Sequence, residues 1–185
     1  MMPQTEVAVF FHLYFQTPGV AEAELEHDVR RSIRSLFYSA SGDAPRSSHR
    51  VHSPGMVPRS GGFLDTLVDS EELPNWLTDA DVDFYVQEFA RTGFRGGLNW
   101  YRNIDRNWEL LAPFSGVRVS VPALYLAGER DLVVGFRGKE IANLEHFVPQ
   151  LRGKIILPGC GHWTQQERTK EVNEAMIEFL RQFTG

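Results

Sequence analysis

The stretch ILPGCGHWTQQERTKEVNEAM, residues 156–176, sets a histidine just past an apolar run and beside glycines that favour a turn. Imidazole titrates near neutrality, so His162 in such a turn can take up and return a proton. Upstream, Asp131 occupies the turn after a second apolar run, Val121 to Ala127. A carboxylate accepting from the imidazole would fix its tautomer and stabilise the imidazolium formed during proton transfer. That is general-base chemistry, and it needs a nucleophile or a water to act on. Cys160 lies two residues away, but within PGCGHW the two side chains meet poorly as a working pair.

The elements that must position these residues follow from periodicity. The run Val121–Ala127, bounded by turn signals, suits a strand buried on both faces of a parallel sheet. Residues 136–152 read as a helix through Ile141, Leu144, Phe147, Val148 and Leu151, and GKIILPGCGHW (153–163) as a second buried strand and turn. A last helix from about Gln165 carries Val172, Ala175, Met176, Phe179, Leu180 and Phe183 at helical spacing. Together these make a strand–helix–strand–helix unit of a doubly wound sheet, in which functional residues gather at strand carboxyl ends. Asp131 and His162 stand at two consecutive strand ends, acid first, in the order of the α/β-hydrolases.

The first 111 residues read as helix and loop, with no convincing strand. An aromatic run, VAVFFHLYFQ (7–16), ends at the turn signal TPG. One helix is predicted over 20–39, with Ala21, Leu25, Val29, Ile33, Leu36 and Phe37 on one face. Residues 39–63 are rich in Ser, Gly and Pro and read as a long, mobile surface loop. His49 and His52 in that loop have no acid or thiol at ligand spacing, so no metal site is expected. Thr78 and Asp81 form a capping-box pattern ahead of a helix carrying Val82, Tyr85, Val86 and Phe89 and ending at Gly93. A further helix over 96–111 would turn Leu98, Tyr101, Ile104, Trp108 and Leu111 inward.

Composition narrows the function classes. A formal charge of −5 without a long basic run argues against nucleic acid or an anionic membrane as partner. RRSIR (30–34) and RSSHR (46–50) read as solvated faces. No stretch approaches the roughly 20 apolar residues of a membrane span. The single cysteine excludes an intrachain disulfide, and MMPQTEVAVFFHLYF has no positively charged leader, so a cytoplasmic location is expected. No cofactor is called for.

The nucleophile should stand on a strand-to-helix elbow upstream, yet no G-x-S-x-G occurs, RSGG (59–62) lies in the aperiodic loop, and Asp65 and Asp69 follow no strand-like run. At this point three stretches, YFQTPGVAEAELE (14–26), FYVQEFARTGFRGGLNWYRN (84–103) and GCGHWTQQERTKEVN (159–173), resemble the soluble epoxide hydrolases of the α/β-hydrolase superfamily. The resemblance runs over nearly the whole chain and is weakest across 39–75. It implies an all-helical cap over 1–111 and the last βαβα of an α/β-hydrolase core over 112–185.

It also implies a mechanism. An aspartate nucleophile opens the epoxide to an alkyl-enzyme ester while cap tyrosines donate hydrogen bonds to the leaving oxygen. A histidine–acid pair then activates water to release a vicinal diol. His162 matches the base, Asp131 its acid and Tyr85 one cap tyrosine, with Phe11, Tyr14, Phe15, Val133 and Trp163 lining the substrate. From the pattern alone Tyr85 is equally a core aromatic. The second cap tyrosine should stand three residues before Tyr14, where this chain has Phe11, and Tyr14 could replace it only if the register shifts. The nucleophile and oxyanion motifs would precede Met1, so a truncated form, inactive alone, is expected. Two alternatives stand beside this: a non-catalytic binding fragment and a haloalkane-dehalogenase-like hydrolase with Trp163 at the halide.

Overall fold

A computed structural model describes residues 3–45, 55–70 and 72–183. The chain forms two compact units, Met1–Ser39 with Pro45–Pro113, and Ala40–Ala44 with Phe114–Gly185. His49 and His52, and with them the middle of the predicted 39–63 loop, lie outside the described residues.

The first unit holds strand β1 (Ala8–Phe10), helices α1 (Phe11–Tyr14), α2 (Val20–His27) and α3 (Val29–Ala40), strand β2 (Met56–Pro58), and helices α4 (Asp79–Thr92), α5 (Arg95–Arg102) and α6 (Ile104–Leu111). The expectation of a strand-free segment is corrected here, because β1 and β2 pair antiparallel with Val9 opposite Val57. Three-residue strands are too short to show a period of two, and their partners are remote in sequence.

The helix predicted over 20–39 is two helices. Asp28 is extended between them, and its carboxylate accepts from the Arg31 N–H at 3.0 Å, which caps α3 instead of continuing α2. The capping box at Thr78 and Asp81 and the stop at Gly93 are as predicted. The helix predicted over 96–111 breaks at Asn103. Leu98 is buried, but Trp108 is 82% and Leu111 60% exposed, so the inward face does not continue past the break. A helical period extrapolated across a break no longer tracks one face.

Glutamates on α2 organise the first unit. Glu24 accepts from the N–H groups of Phe63 and Leu64 at 3.1 and 2.8 Å, and Glu26 accepts from the Phe94 N–H at 3.0 Å. Glu22 receives both terminal nitrogens of Arg102 at 2.6 and 2.8 Å. Both side chains of that pair are only 12% exposed, and Arg102 also donates to the Phe15 carbonyl at 2.9 Å.

The second unit holds strand β3 (Ala123–Gly128), helices α7 (Leu132–Phe136), α8 (Gly138–Ala142) and α9 (Leu144–Phe147), strand β4 (Leu151–Leu157), and helices α10 (Thr164–Glu167) and α11 (Thr169–Arg181). The strands are parallel, with Leu126 opposite Ile155 and Gly128 opposite Leu157. Leu157, Cys160 and Val172 form the buried centre, packed by Leu126 and Ile155.

Two expectations change. The helix predicted over 136–152 is three short turns broken near Arg137 and Asn143, and Leu151 already belongs to β4. The strands are not buried on both faces, since β4 alternates half-buried and exposed residues. Among the described residues each strand has a single neighbour. No helix of the described residues is long and apolar enough to cross a membrane.

The Glu22–Arg102 pair yields a test. Arg102 hydrogen bonds outweigh burial and hold the Glu22 carboxyl down to about 2, against an ordinary 4.5. The pair's stabilisation is therefore present above pH 4.5 and is lost as pH falls toward 2. Arg102→Met leaves a buried carboxylate unpaired and is expected to cost about 3 kcal/mol at pH 7. It should also flatten the acid limb of stability against pH, as measured by chemical denaturation.

Candidate active site

Asp131 ends the turn after β3 and caps α7. Its Oδ1 accepts from the Val133 N–H at 2.7 Å, and its Oδ2 lies 3.0 Å from His162 Nδ1. Parallel pairing of β3 with β4 sets the two strand ends side by side, and the two turns follow from them. The Asp131 side chain is 12% exposed and that of His162 48%.

Burial alone would raise the Asp131 carboxyl. The hydrogen bonds from His162 and the Val133 N–H outweigh it and hold that carboxyl below the usual carboxylate range. The hydrogen bond to Asp131 in turn raises the His162 imidazole above 6.5, against the opposing effect of burial. An ionised carboxylate can only accept, so the Nδ1 proton sits between the two residues and Nε2 carries the free lone pair. Nε2 has no hydrogen-bond partner among the described residues. The arrangement can remove a proton from a water or a nucleophile held at Nε2.

The remaining predicted residues are placed within their own units. Trp163 packs its ring edge-on to His162, with centroids 4.9 Å apart. Val133 is exposed and contributes its N–H to Asp131. In the first unit Tyr85 is half-buried on α4 with its ring 4.8 Å from that of Phe37. Among the described residues its hydroxyl makes no hydrogen bond. Phe11 and Phe15 belong to an aromatic cluster with Phe63 and Tyr101. Burial, and then the hydrogen bond that the Tyr14 hydroxyl donates to Glu24 at 2.7 Å, raise that hydroxyl well above its ordinary value, and the bond commits its proton to Glu24. Cys160 is fully buried, and burial followed by the Glu167 charge pushes its thiol up to about 11. A thiol protonated at neutral pH is a poor nucleophile, which fits the weak pairing read from the sequence.

No protein-family model matches the chain. Over 171 residues it is 42% identical to epoxide hydrolase A of Mycobacterium tuberculosis, a match covering 92% of this chain and 52% of that protein. It is 40% identical to bifunctional epoxide hydrolase 2 of Mus musculus, covering 92% and 29%. The crystal structure of epoxide hydrolase A from Mycobacterium thermoresistibile superposes with a TM-score of 0.83 at 48% identity, over 95% of this chain and 53% of the other. The epoxide hydrolase from an endophytic Streptomyces gives 0.90 at 37% identity, over 96% and 53%. Over 92% of its length the chain is homologous to proteins named epoxide hydrolase. It spans about half the length of the first relative, and its fold is part of an α/β-hydrolase fold.

One residue of this epoxide hydrolase relative escaped the sequence reading. Glu167, at the end of α10, is buried, and its carboxylate accepts from three backbone N–H groups. Gly161 and Gly42 donate to Oε2 at 2.7 and 2.9 Å, and Trp163 donates to Oε1 at 3.1 Å. The His162 N–H donates to the Ala40 carbonyl at 2.8 Å. Residues 40–44 thus run as a strap along the histidine turn, inside the second unit. The approach is backbone to backbone. A Cβ on Gly42 would stand 2.0 Å from the Gly159 carbonyl oxygen, and one on Gly161 would stand 2.4 Å from the Gly42 nitrogen. The signal available was a glutamate in the first helical turn after the histidine, where a carboxylate can reach back to turn N–H groups as in a capping box.

The pair predicts a titration. By NMR, the His162 ring should titrate with a midpoint above 6.5, and Asp131→Asn should lower that midpoint. The stabilisation from the charged pair is present below pH 6.5 and lost as pH rises through the raised midpoint. Over the same rise the neutral, base-competent imidazole accumulates. An unchanged midpoint in Asp131→Asn would show that the 3.0 Å contact does not persist in solution.

Proposed function

We propose that this chain carries the cap and the base of an epoxide hydrolase, acting in the hydration of an epoxide to a vicinal diol. What supports the reading is the His162–Asp131 pair, 3.0 Å apart at the ends of two adjacent parallel strands, in a chain 42% identical to epoxide hydrolase A of Mycobacterium tuberculosis.

In this reading an aspartate outside these 185 residues attacks one epoxide carbon. The carbon–oxygen bond breaks, and its electron pair stays on the oxygen, which takes up a proton. Tyr85, whose hydroxyl makes no other hydrogen bond among the described residues, donates a hydrogen bond to that oxygen. His162 Nε2 then removes a proton from water as it adds to the ester carbonyl, and Asp131 stabilises the imidazolium. Collapse of the adduct expels the alkoxide, which takes the proton back from the imidazolium, and so returns the aspartate and releases the diol. Phe11 has no proton to offer and the Tyr14 proton is held by Glu24, so oxirane activation rests on one tyrosine here. The first unit, residues Met1–Ser39 and Pro45–Pro113, serves as the cap and the second as the C-terminal part of the core. Phe15, Trp163 and Val133 contribute to the substrate lining. In this reading the 185-residue chain supplies no alkylatable aspartate and turns over no epoxide alone.

The test joins the N-terminal part of epoxide hydrolase A of Mycobacterium tuberculosis, up to where the match begins, to this chain. The chimera should convert styrene oxide to its diol while the 185-residue chain alone does not. His162→Gln in the chimera should block hydrolysis and accumulate a covalent adduct one epoxide heavier by mass spectrometry. Tyr85→Phe should lower kcat about 100-fold, the scale of losing one preorganised donor. A folded chimera that forms neither diol nor adduct would sink the reading, and release of halide from a haloalkane would point to the dehalogenase alternative.

A further inference from the structure

Five consecutive N–H groups around the histidine are each assigned a partner. Gly159 donates to Glu129 at 2.9 Å, and Cys160 to the Leu157 carbonyl at 3.3 Å. Gly161 and Trp163 donate to the two oxygens of Glu167, and His162 donates to the Ala40 carbonyl. Glu167 therefore brackets His162, holding the residue before it with one oxygen and the residue after it with the other. The oxygen that takes Gly161 also takes Gly42, so it fixes the strap that holds the His162 N–H.

We propose that Glu167 is a positioning residue that aims the His162 imidazole at Asp131 by clamping the peptide on both sides of it and the 40–44 strap beside it. A glycine-flanked turn has little rigidity of its own, because Gly159 and Gly161 carry no side chain to restrict them. No cation pairs with Glu167 among the described residues, so its carboxylate is held by three main-chain N–H donors, with the Cys160 thiol beside it. Carboxylate geometry suits this, since two oxygens offer about four acceptor sites where a carboxamide offers a single oxygen. The other charged groups at the turn are Asp131, at the imidazole, Glu129, which accepts from the Gly159 N–H, Arg130, whose guanidinium donates to the Gly42 carbonyl, and Arg168, which donates to the Glu167 carbonyl at 3.1 Å.

The inference rests on the base reading for its catalytic meaning and on the turn geometry for its structural content, and the test separates the two. In the 185-residue chain, NMR reads the His162 ring midpoint and the downfield Nδ1–H resonance of the His162–Asp131 hydrogen bond. Glu167→Gln puts an amide donor against a backbone donor. Glu167→Asp keeps the charge but is one methylene too short to reach both sides of His162. Both should weaken or abolish the Nδ1–H resonance and lower the ring midpoint. In the chimera both should lower kcat about 100-fold at unchanged KM, the scale of a 1 Å misplacement. Val172→Ala, a cavity in the same buried centre, supplies the control, with lower thermal stability and unchanged Nδ1–H and kcat.

If Glu167→Gln and Glu167→Asp behave as Val172→Ala does, Glu167 is a stabilising pin only and the proposal falls. If Gln acts but Asp does not, charge rather than aim is at work, and it falls again. If both variants disturb the ring while Asp131→Asn leaves kcat intact, the clamp stands and the base reading fails.

Discussion

A carboxylate shielded from water has to find donors, and those around Glu167 are three main-chain N–H groups drawn from two distant parts of the sequence. That requirement sets much of the second unit. It brings residues 40–44 against the turn after β4, at contact distances only glycine permits, and lets the Ala40 carbonyl take the His162 N–H. With the backbone held so, the imidazole reaches Asp131, itself anchored by capping α7. The ion pair that could do chemistry is thus the last link of a chain of hydrogen bonds that begins at a residue with no chemistry of its own.

The same use of acids recurs throughout. Glu24 and Glu26 hold the N–H groups of Phe63, Leu64 and Phe94, Glu129 holds that of Gly159, and Asp28 and Asp81 cap helices. The chain has 24 acidic and 19 basic residues, and many of the acids serve irregular backbone that lacks secondary-structure partners. Its negative charge is in good part the mark of loops that need acceptors. Glu22, which also caps α2, takes a buried guanidinium in full bidentate fashion.

The sequence made some of this legible. Asp131 and His162 stood out because each follows a compact apolar run, and parallel pairing of those runs brings their ends together. Thr78, Asp81 and Gly93 marked helix ends through side-chain chemistry that acts over three residues. Breaks at Asp28 and Asn103 were hidden because the hydrophobic period continues on either side of them. The β1–β2 ribbon was hidden because three residues carry no period, and Trp108 because a face extrapolated through Asn103 points elsewhere. Glu167 left only a capping-type signal, for a further reason. Its partners are peptide groups, which are the same whatever residue bears them.

Gly42 and Glu167 are 125 residues apart. Ribosomes add about 5–20 residues per second, so the strap leaves the exit tunnel roughly ten seconds before the carboxylate that receives it. During that interval α2 and α3 can form from local contacts, whereas the histidine turn has not been made. The mount of His162 therefore waits until α10 has been made, and a chain arrested anywhere before α10 holds a strap with nothing to grip.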